Sequence, residues 1–316
     1  MTDAPFPPPP PPDRAPEPDA FGYCHRHPGV VTGVHCTRCG NFVCPDCMIP
    51  APVGYQCPDC VEKSRREYQV RPVRRMRSGG PMTNLLLAAI WAMFLVELAV
   101  SMSQGQAGSL WTGPSEQTLV DLGAMYAPAI AAGQYWRFFT AMFLHAGLLH
   151  IAMNSYALYI LGPPVEEALG KIKFLVLYFV TGFAGGAVSY SFLPVMAVGG
   201  TVAVGASGAI VGVFGAFIAF AWRRRGSPIA RAMLRNAALI ILINALLSIG
   251  WSAVDWRAHV GGLLSGFVAG FLVEEVEVRR LGWVAHAAVF VAVAAAGVVL
   301  VILRTNELTA LFPGLH

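Results

Sequence analysis

Charge is scarce in this chain. Asp, Glu, Lys and Arg make up 13% of its 316 residues, against 55% hydrophobic residues. That balance excludes a wholly soluble protein and implies a polytopic membrane protein with a soluble appendage. The net charge of +4 is small, and the basic residues gather beside apolar runs, where orientation during membrane insertion accounts for them, so no nucleic-acid partner is expected. A leader with basic, apolar and small-residue regions is missing, so no signal peptide is expected. Cysteine is absent from every apolar run, and all seven cysteines lie between Cys24 and Cys60.

Residues 1–20 are low in complexity, with proline unbroken from Pro7 to Pro12. Such a run favours polyproline II and builds no core, so a disordered tail is expected. Residues 21–62 hold the pairs Cys24-x-x-His27, Cys36-x-x-Cys39, Cys44-x-x-Cys47 and Cys57-x-x-Cys60. Eight ligands make two tetrahedral zinc sites, because a two-residue gap lets neighbouring side chains grip one ion while backbone amides support the thiolates. A disulfide framework is disfavoured: cysteines two apart rarely bridge, seven is odd, and the basic flank implies a reducing compartment. The expected pairing is interleaved, with Cys24, His27, Cys44 and Cys47 on one ion and Cys36, Cys39, Cys57 and Cys60 on the other. Sequential pairing stays open. His25 and His35 are spare, read as solvated neighbours. The spacing resembles a B-box-type zinc finger with a Cys-Cys final pair where that family commonly has histidines. The resemblance implies a binding or structural module without catalysis, dependent on metal to fold. Residues 63–80, with Lys63, Arg65, Arg66, Arg71, Arg74, Arg75 and Arg77, read as a basic juxtamembrane linker holding the N-terminus in the cytoplasm.

Seven apolar segments follow, at about 82–103, 139–161, 172–193, 203–222, 236–254, 258–273 and 283–303. With the N-terminus inside, inner loops receive Lys171, Lys173, Arg223, Arg224, Arg225, Arg231, Arg235, Arg279 and Arg280, and outer connections only Arg137, Arg257 and Arg304. This asymmetry sets the orientation, in a cell membrane taken as a bacterial plasma membrane. The first outer connection, about 104–138, is rich in aromatics and is expected to lie on the bilayer, partly helical.

One serine framed by glycines, Gly205-Ala-Ser207-Gly208, opens the fourth apolar run. Ser207 lies about 24 Å from the inner end of its span at Arg223, measured along a helix. Asn154 lies about 18 Å and His150 about 24 Å from Glu166, and His259 about 22 Å from Glu274. Four polar residues on three spans thus share one level, and groups this deep face inward. Irregular glycine-rich backbone before Ser207 requires enclosure, so a cavity is expected there. The chemistry available is hydrolytic. Ser207 serves as nucleophile and His259 as general base, while His150, Asn154 and the Ser207 N–H at a helix N-terminus receive the oxyanion. Taken singly, each feature has a plainer meaning: Gly-Ala-Ser-Gly and Gly262-x-x-x-Gly266-x-x-x-Gly270 are packing surfaces, and a lone buried His or Asn only bonds a neighbour.

Trp136-Arg137, His145-x-x-x-x-His150-x-x-x-Asn154, Gly205-x-Ser207-Gly208 and His259-x-x-Gly262-x-x-x-Gly266 together resemble the rhomboid family of intramembrane serine proteases over residues 82–275. The resemblance implies an all-α polytopic membrane fold, a rhomboid-like six-helix bundle with one added C-terminal transmembrane helix. It also implies a Ser207–His259 dyad that cleaves a substrate's transmembrane helix near its outer end. Residues 81–275 would be the protease core and 276–316 the added helix and tail. Asp255 is read as the cap of the sixth helix, Trp136-Arg137 as structural, and Glu97 as bonded to the first outer connection. One departure is Val211, where members often carry an aromatic ring. Partners would be membrane proteins with a transmembrane helix, the bilayer, and a cytoplasmic protein recruited by the zinc module. The alternative class is a non-catalytic rhomboid-like protein that binds client helices; a transporter is disfavoured because no symmetric pair of spans is broken.

Overall fold

A stretch whose buried core is almost all cysteine folds around its thiols, and the first part of the described chain is of this kind. The structure is a computed structural model describing residues 21–51, 53–67, 80–105, 111–250 and 254–313. The proline-rich tail and most of the basic linker lie outside the described residues. The chain divides into two units, Met1–Met76 and Arg77–His316.

In the first unit, β1 (Gly22–Tyr23) pairs antiparallel with β2 (Val31–Thr32), and β3 (Ile49–Pro50) with β4 (Tyr55–Gln56), before helix α1 (Pro58–Glu67). Strand alternation turns Thr32 inward, where its hydroxyl donates to the Val43 carbonyl at 2.9 Å. The buried core is Cys24, Cys36, Val43, Cys44, Cys47 and Cys57. One valine among thiols buries too little apolar surface to hold a domain by itself.

The second unit is helical. In order it contains α2 (Pro81–Ser103), α3 (Glu116–Asp121), β5 (Met125–Tyr126), α4 (Ala127–Ala131), α5 (Arg137–Thr140), α6 (Leu148–Leu169), α7 (Lys171–Ser191), β6 (Val202–Ala203), α8 (Ser207–Arg223), α9 (Pro228–Gly250), α10 (Trp256–Val278) and α11 (Gly282–Leu311). Among the described residues, α2, α7, α10 and α11 are long and apolar enough to cross a membrane, and α5 with the turn to Phe143 forms, with α6, a bent pair that would be a fifth span. Helix α8, at 17 residues, is shorter but equally apolar. This is a multi-pass membrane protein.

Helix α8 sits at the centre, with every residue from Gly208 to Ala216 buried except the half-buried Val211. Burial on every face requires small residues, which the sequence supplies. Polar groups tie the helix ends together at one end of the bundle. Glu166 accepts the N–H groups of Met82 at 3.0 Å and Thr83 at 2.9 Å, satisfying free donors at the start of α2. Arg223 reaches Glu275 at 2.7 Å and Glu274 at 3.8 Å, and Lys173 pairs with Glu277. The markers used above to compare depths on α8 and α10 are therefore in contact.

Three boundaries differ from the sequence reading. The second span begins at Leu148 and not near 139, because the chain turns by 94° between Phe143 and Leu148, where Gly147 adopts a φ of 141°. The last helix runs to Leu311, so Arg304 lies within it; the residue is buried, and its guanidinium donates to the Leu193 carbonyl at 2.5 Å and to Glu307 at 2.7 Å. The fifth begins at Pro228, and the segment once read as its end, including Trp251, is outside the described residues. The first outer connection is partly helical as expected, with Ser115 capping α3 by accepting the Thr118 N–H at 3.0 Å.

Candidate active site and metal clusters

Two helices without side chains at their contact can approach until their backbones touch, and α8 and α10 do. A Cβ on Gly262 would meet the Gly208 carbonyl, one on Gly266 the Gly212 carbonyl, and one on Gly270 Ala216. Each step advances four residues on both helices in the same direction, so the helices run parallel in register. By that register His259 is level with Gly205, and Ser207 lies two residues, about 3 Å, further along. Ala258 bounds Gly208, its carbonyl 3.7 Å from where a Cβ on Gly208 would sit. The seam read from the sequence as mere packing is what sets the serine and the histidine at one height. Among the described residues no hydrogen bond joins them, as is common before a substrate tightens a site.

The other two residues arrive from α6. Gly205, at a φ of 121°, passes so close to His150 that a Cβ would sit 2.8 Å from Cε1 and Nε2 of the ring and 3.5 Å from Asn154 Nδ2. Only glycine tolerates both that conformation and that approach. His150 and His259 are near enough to interact electrostatically. Asn154 is 6% exposed, and its Nδ2 donor has no partner among the described residues. A buried N–H without an acceptor is costly, and here it faces the loop leading into Ser207. Ser207 is the first residue of α8, so its own N–H has no acceptor within the helix. Ser207, His259 and His150 are half-buried. The structure thus brings Ser207, His259, His150 and Asn154 to one place.

That place is braced from several sides. The Gly205 N–H donates to the Ala141 carbonyl at 2.9 Å, and β6, just before it, pairs antiparallel with β5. Neither tie was foreseen, since backbone pairing of two-residue strands leaves no sequence pattern. Asp255 caps α10, accepting the N–H groups of Arg257 at 3.2 Å and Ala258 at 3.4 Å, and takes a further bond from Ser189. Arg137 is buried and donates to the carbonyls of Val120 at 2.7 Å and Ala124 at 2.9 Å, pinning the first connection. Among the described residues of 104–138, the bounds read from the sequence for that connection, Glu97 has no hydrogen-bond partner. Its carboxylate accepts the backbone N–H of His145 at 3.1 Å, in the break before α6. Val211 is half-buried.

In the first unit the eight predicted ligands fall into the two interleaved clusters, Cys24, His27, Cys44, Cys47 and Cys36, Cys39, Cys57, Cys60, with ligand atoms in each within 4.8 Å of one another. All seven cysteines are free thiols. Cys39 and Cys57 sulfurs are 3.8 Å apart, which matches the edge of about 3.8 Å of a tetrahedron with metal–sulfur arms of about 2.3 Å. His27 Nδ1 lies 3.2 Å from Cys44 Sγ and 3.4 Å from Cys47 Sγ. The Cys57 N–H donates to Cys36 Sγ at 3.2 Å, and the Cys60 N–H to Cys57 Sγ at 3.3 Å. Burial opposes ionisation of Cys24 and Cys36, but backbone hydrogen bonds, led by Cys44 and Cys57 respectively, outweigh it and bring both thiols down to about 6. Burial, with neighbouring thiols, pushes Cys47 up to about 11 and Cys60 up to about 12. One ionised sulfur suppresses the next, and a cation at the centre relieves that conflict. Both clusters are capable of holding a metal. His25 and His35 stay outside: His25 faces Asp59 at 3.7 Å, and His35 packs at a tilt against the Phe42 ring.

Residues 132–276 match the family model described as Rhomboid domain. The chain is 37% identical over 164 residues to RHOMBOID-like protein 6, mitochondrial, of Arabidopsis thaliana, covering 51% of each. It is 37% identical over 153 residues to Rhomboid protease GluP of Bacillus subtilis (strain 168), covering 48% of this chain and 29% of that protein. Against Putative rhomboid protease YdcA of the same organism it is 34% identical over 155 residues, covering 49% of this chain and 75% of that protein. The chain thus spans about half of the first relative and under a third of the second. The span matched by the family model contains His150, Asn154, Ser207 and His259 and excludes both metal clusters.

Proposed function

The chain belongs to the rhomboid family, and on that premise we propose that it is an intramembrane serine endopeptidase acting on transmembrane helices. The observation that carries the reading is the glycine register of α8 against α10, which brings Ser207 and His259 to one level beside His150 and Asn154. In the proposed reaction His259 accepts the proton of Ser207 as the hydroxyl oxygen attacks a substrate carbonyl. Negative charge on that carbonyl oxygen is met by the Ser207 N–H, Asn154 Nδ2 and His150, donors already fixed in place. His259 returns the proton to the departing amine, and water, activated by the same imidazole, releases the acyl group from Ser207. No third carboxylate is required: Asp255 is occupied as a helix cap.

A helical substrate hides its carbonyls, so segments rich in small or helix-breaking residues near the outer surface are the preferred targets. Helix α9 is the proposed side of entry, since α8 is its one extensive packing partner among the described elements. The basic residues at the Arg223 end of the bundle orient that end and the N-terminus toward the cytoplasm, and Ser207 toward the opposite face. Each Cys/His cluster holds one structural zinc, and the module they fold recruits a cytoplasmic protein. The boundaries 21–62, 63–80, 81–275 and 276–316 follow from this division of labour. Cleavage of a model transmembrane substrate in proteoliposomes tests the reading. Wild type should cleave and Ser207→Ala should not, with folding intact; persistent cleavage by Ser207→Ala would remove Ser207 from the mechanism, and a folded but inactive wild type would favour a non-catalytic client-binding role.

A further inference from the structure

We propose that Glu97 is a positioning residue of this site: its carboxylate, carried within an apolar helix, holds the break from which His150 and Asn154 are presented to Ser207. The proposal rests on the proteolytic reading and adds a residue from α2, a helix that reading does not use.

Glu97 is the one charged residue in the 23 of α2, and none of its surface is exposed. A carboxyl group in such surroundings is unfavourable unless it makes a needed bond. Among the described residues its partner is the backbone N–H of His145, at 3.1 Å. His145 lies between Phe143 and Leu148, outside any helix, where the chain turns by 94°. Backbone donors freed by a break at membrane depth need acceptors, and Glu97 supplies one from the neighbouring helix.

A short chain of contacts leads from that anchor to the site. The His145 ring is fully buried, its Nδ1 lies 3.2 Å from the Phe143 carbonyl, and it packs against the His150 ring in a T-shaped contact with centroids 5.2 Å apart. The next backbone N–H, of Ala146, donates to His150 Nδ1 at 3.4 Å. The opposite edge of His150 abuts Gly205, two residues before Ser207. The imidazole is therefore clamped between a break fixed by Glu97 and the loop that delivers the serine. A purely stabilising glutamate would also lie buried, but its loss would lower the amount of folded protein and not the turnover of what remains.

The test uses the full chain in proteoliposomes, with Glu97→Leu and Glu97→Gln. Turnover on a model transmembrane substrate, amide hydrogen exchange over residues 143–150, and melting temperature are measured together. Glu97→Leu should lower kcat about tenfold or more, with KM changed less than about twofold, and should speed exchange in 143–150. Glu97→Gln keeps an acceptor oxygen and should restore kcat to within about threefold of wild type. Wild-type kcat in Glu97→Leu, or equal loss of folded protein and activity in both variants, overturns the proposal. Unchanged exchange in Glu97→Leu overturns the anchoring whatever the activity. A folded wild type that neither cleaves nor reacts with a fluorophosphonate defeats the proteolytic reading itself, a result recognisable because it precedes any substitution.

Discussion

The two units of this chain hold themselves together by opposite means. The first has a core of thiols and one valine, with little buried apolar surface beside them. The second is held by side chains that are missing: glycines on α8 and α10 bring two backbones into contact, and that closeness fixes the level of the serine and the histidine. In one unit the residues that could bind metal also make the core. In the other the glycines carry no functional group, yet they set where the proposed catalytic pair sits.

The sharpest way to break the contrast is to put a side chain into the seam. Gly266→Leu would drive a side chain into the Gly212 carbonyl, and overpacking of this kind costs about 1–3 kcal/mol or more. Cleavage should be lost together with a fall in melting temperature, read by activity and thermal unfolding in the same proteoliposomes; an active, equally stable variant would mean that the register does not position the site. Asn154→Ala should act on the chemistry alone, lowering kcat by about 10²–10³-fold with melting unchanged. A variant as active as wild type would take Asn154 out of the oxyanion site. The smallest effect on cleavage is expected from the other unit. Cys36→Ser should reduce zinc, measured by metal analysis of the full chain, from two ions to one while intrinsic cleavage stays near wild type. Retention of both ions would contradict the cluster assignment, and lost cleavage would contradict the independence of the two units.

The same contrast explains what was legible in the sequence. Ligand pairs two residues apart announce themselves, because the spacing that grips an ion is local, and all eight fall into the expected clusters. Depth along a helix is also local arithmetic, which is why Ser207, His259, His150 and Asn154 were found at one level. What escaped depends on contacts between distant segments. The 94° break before Leu148 was read as straight helix because Phe139 to Leu148 is as apolar as a span. The bond from Glu97 to His145 joins residues far apart in sequence, and the visible signal was only that a carboxylate stood in an apolar run. The Gly262-x-x-x-Gly266-x-x-x-Gly270 seam was legible as packing, but not as the device that aligns His259 with Ser207.

Covalent labelling by a fluorophosphonate tests the central claim most directly, since it requires an activated serine and no knowledge of the natural substrate. In proteoliposomes the wild-type chain should be labelled at Ser207, His259→Ala should be labelled far more slowly, and Ser207→Ala should not be labelled. Equal labelling of wild type and His259→Ala, or attachment at a serine other than Ser207, would contradict a nucleophile on α8 activated by an imidazole on α10.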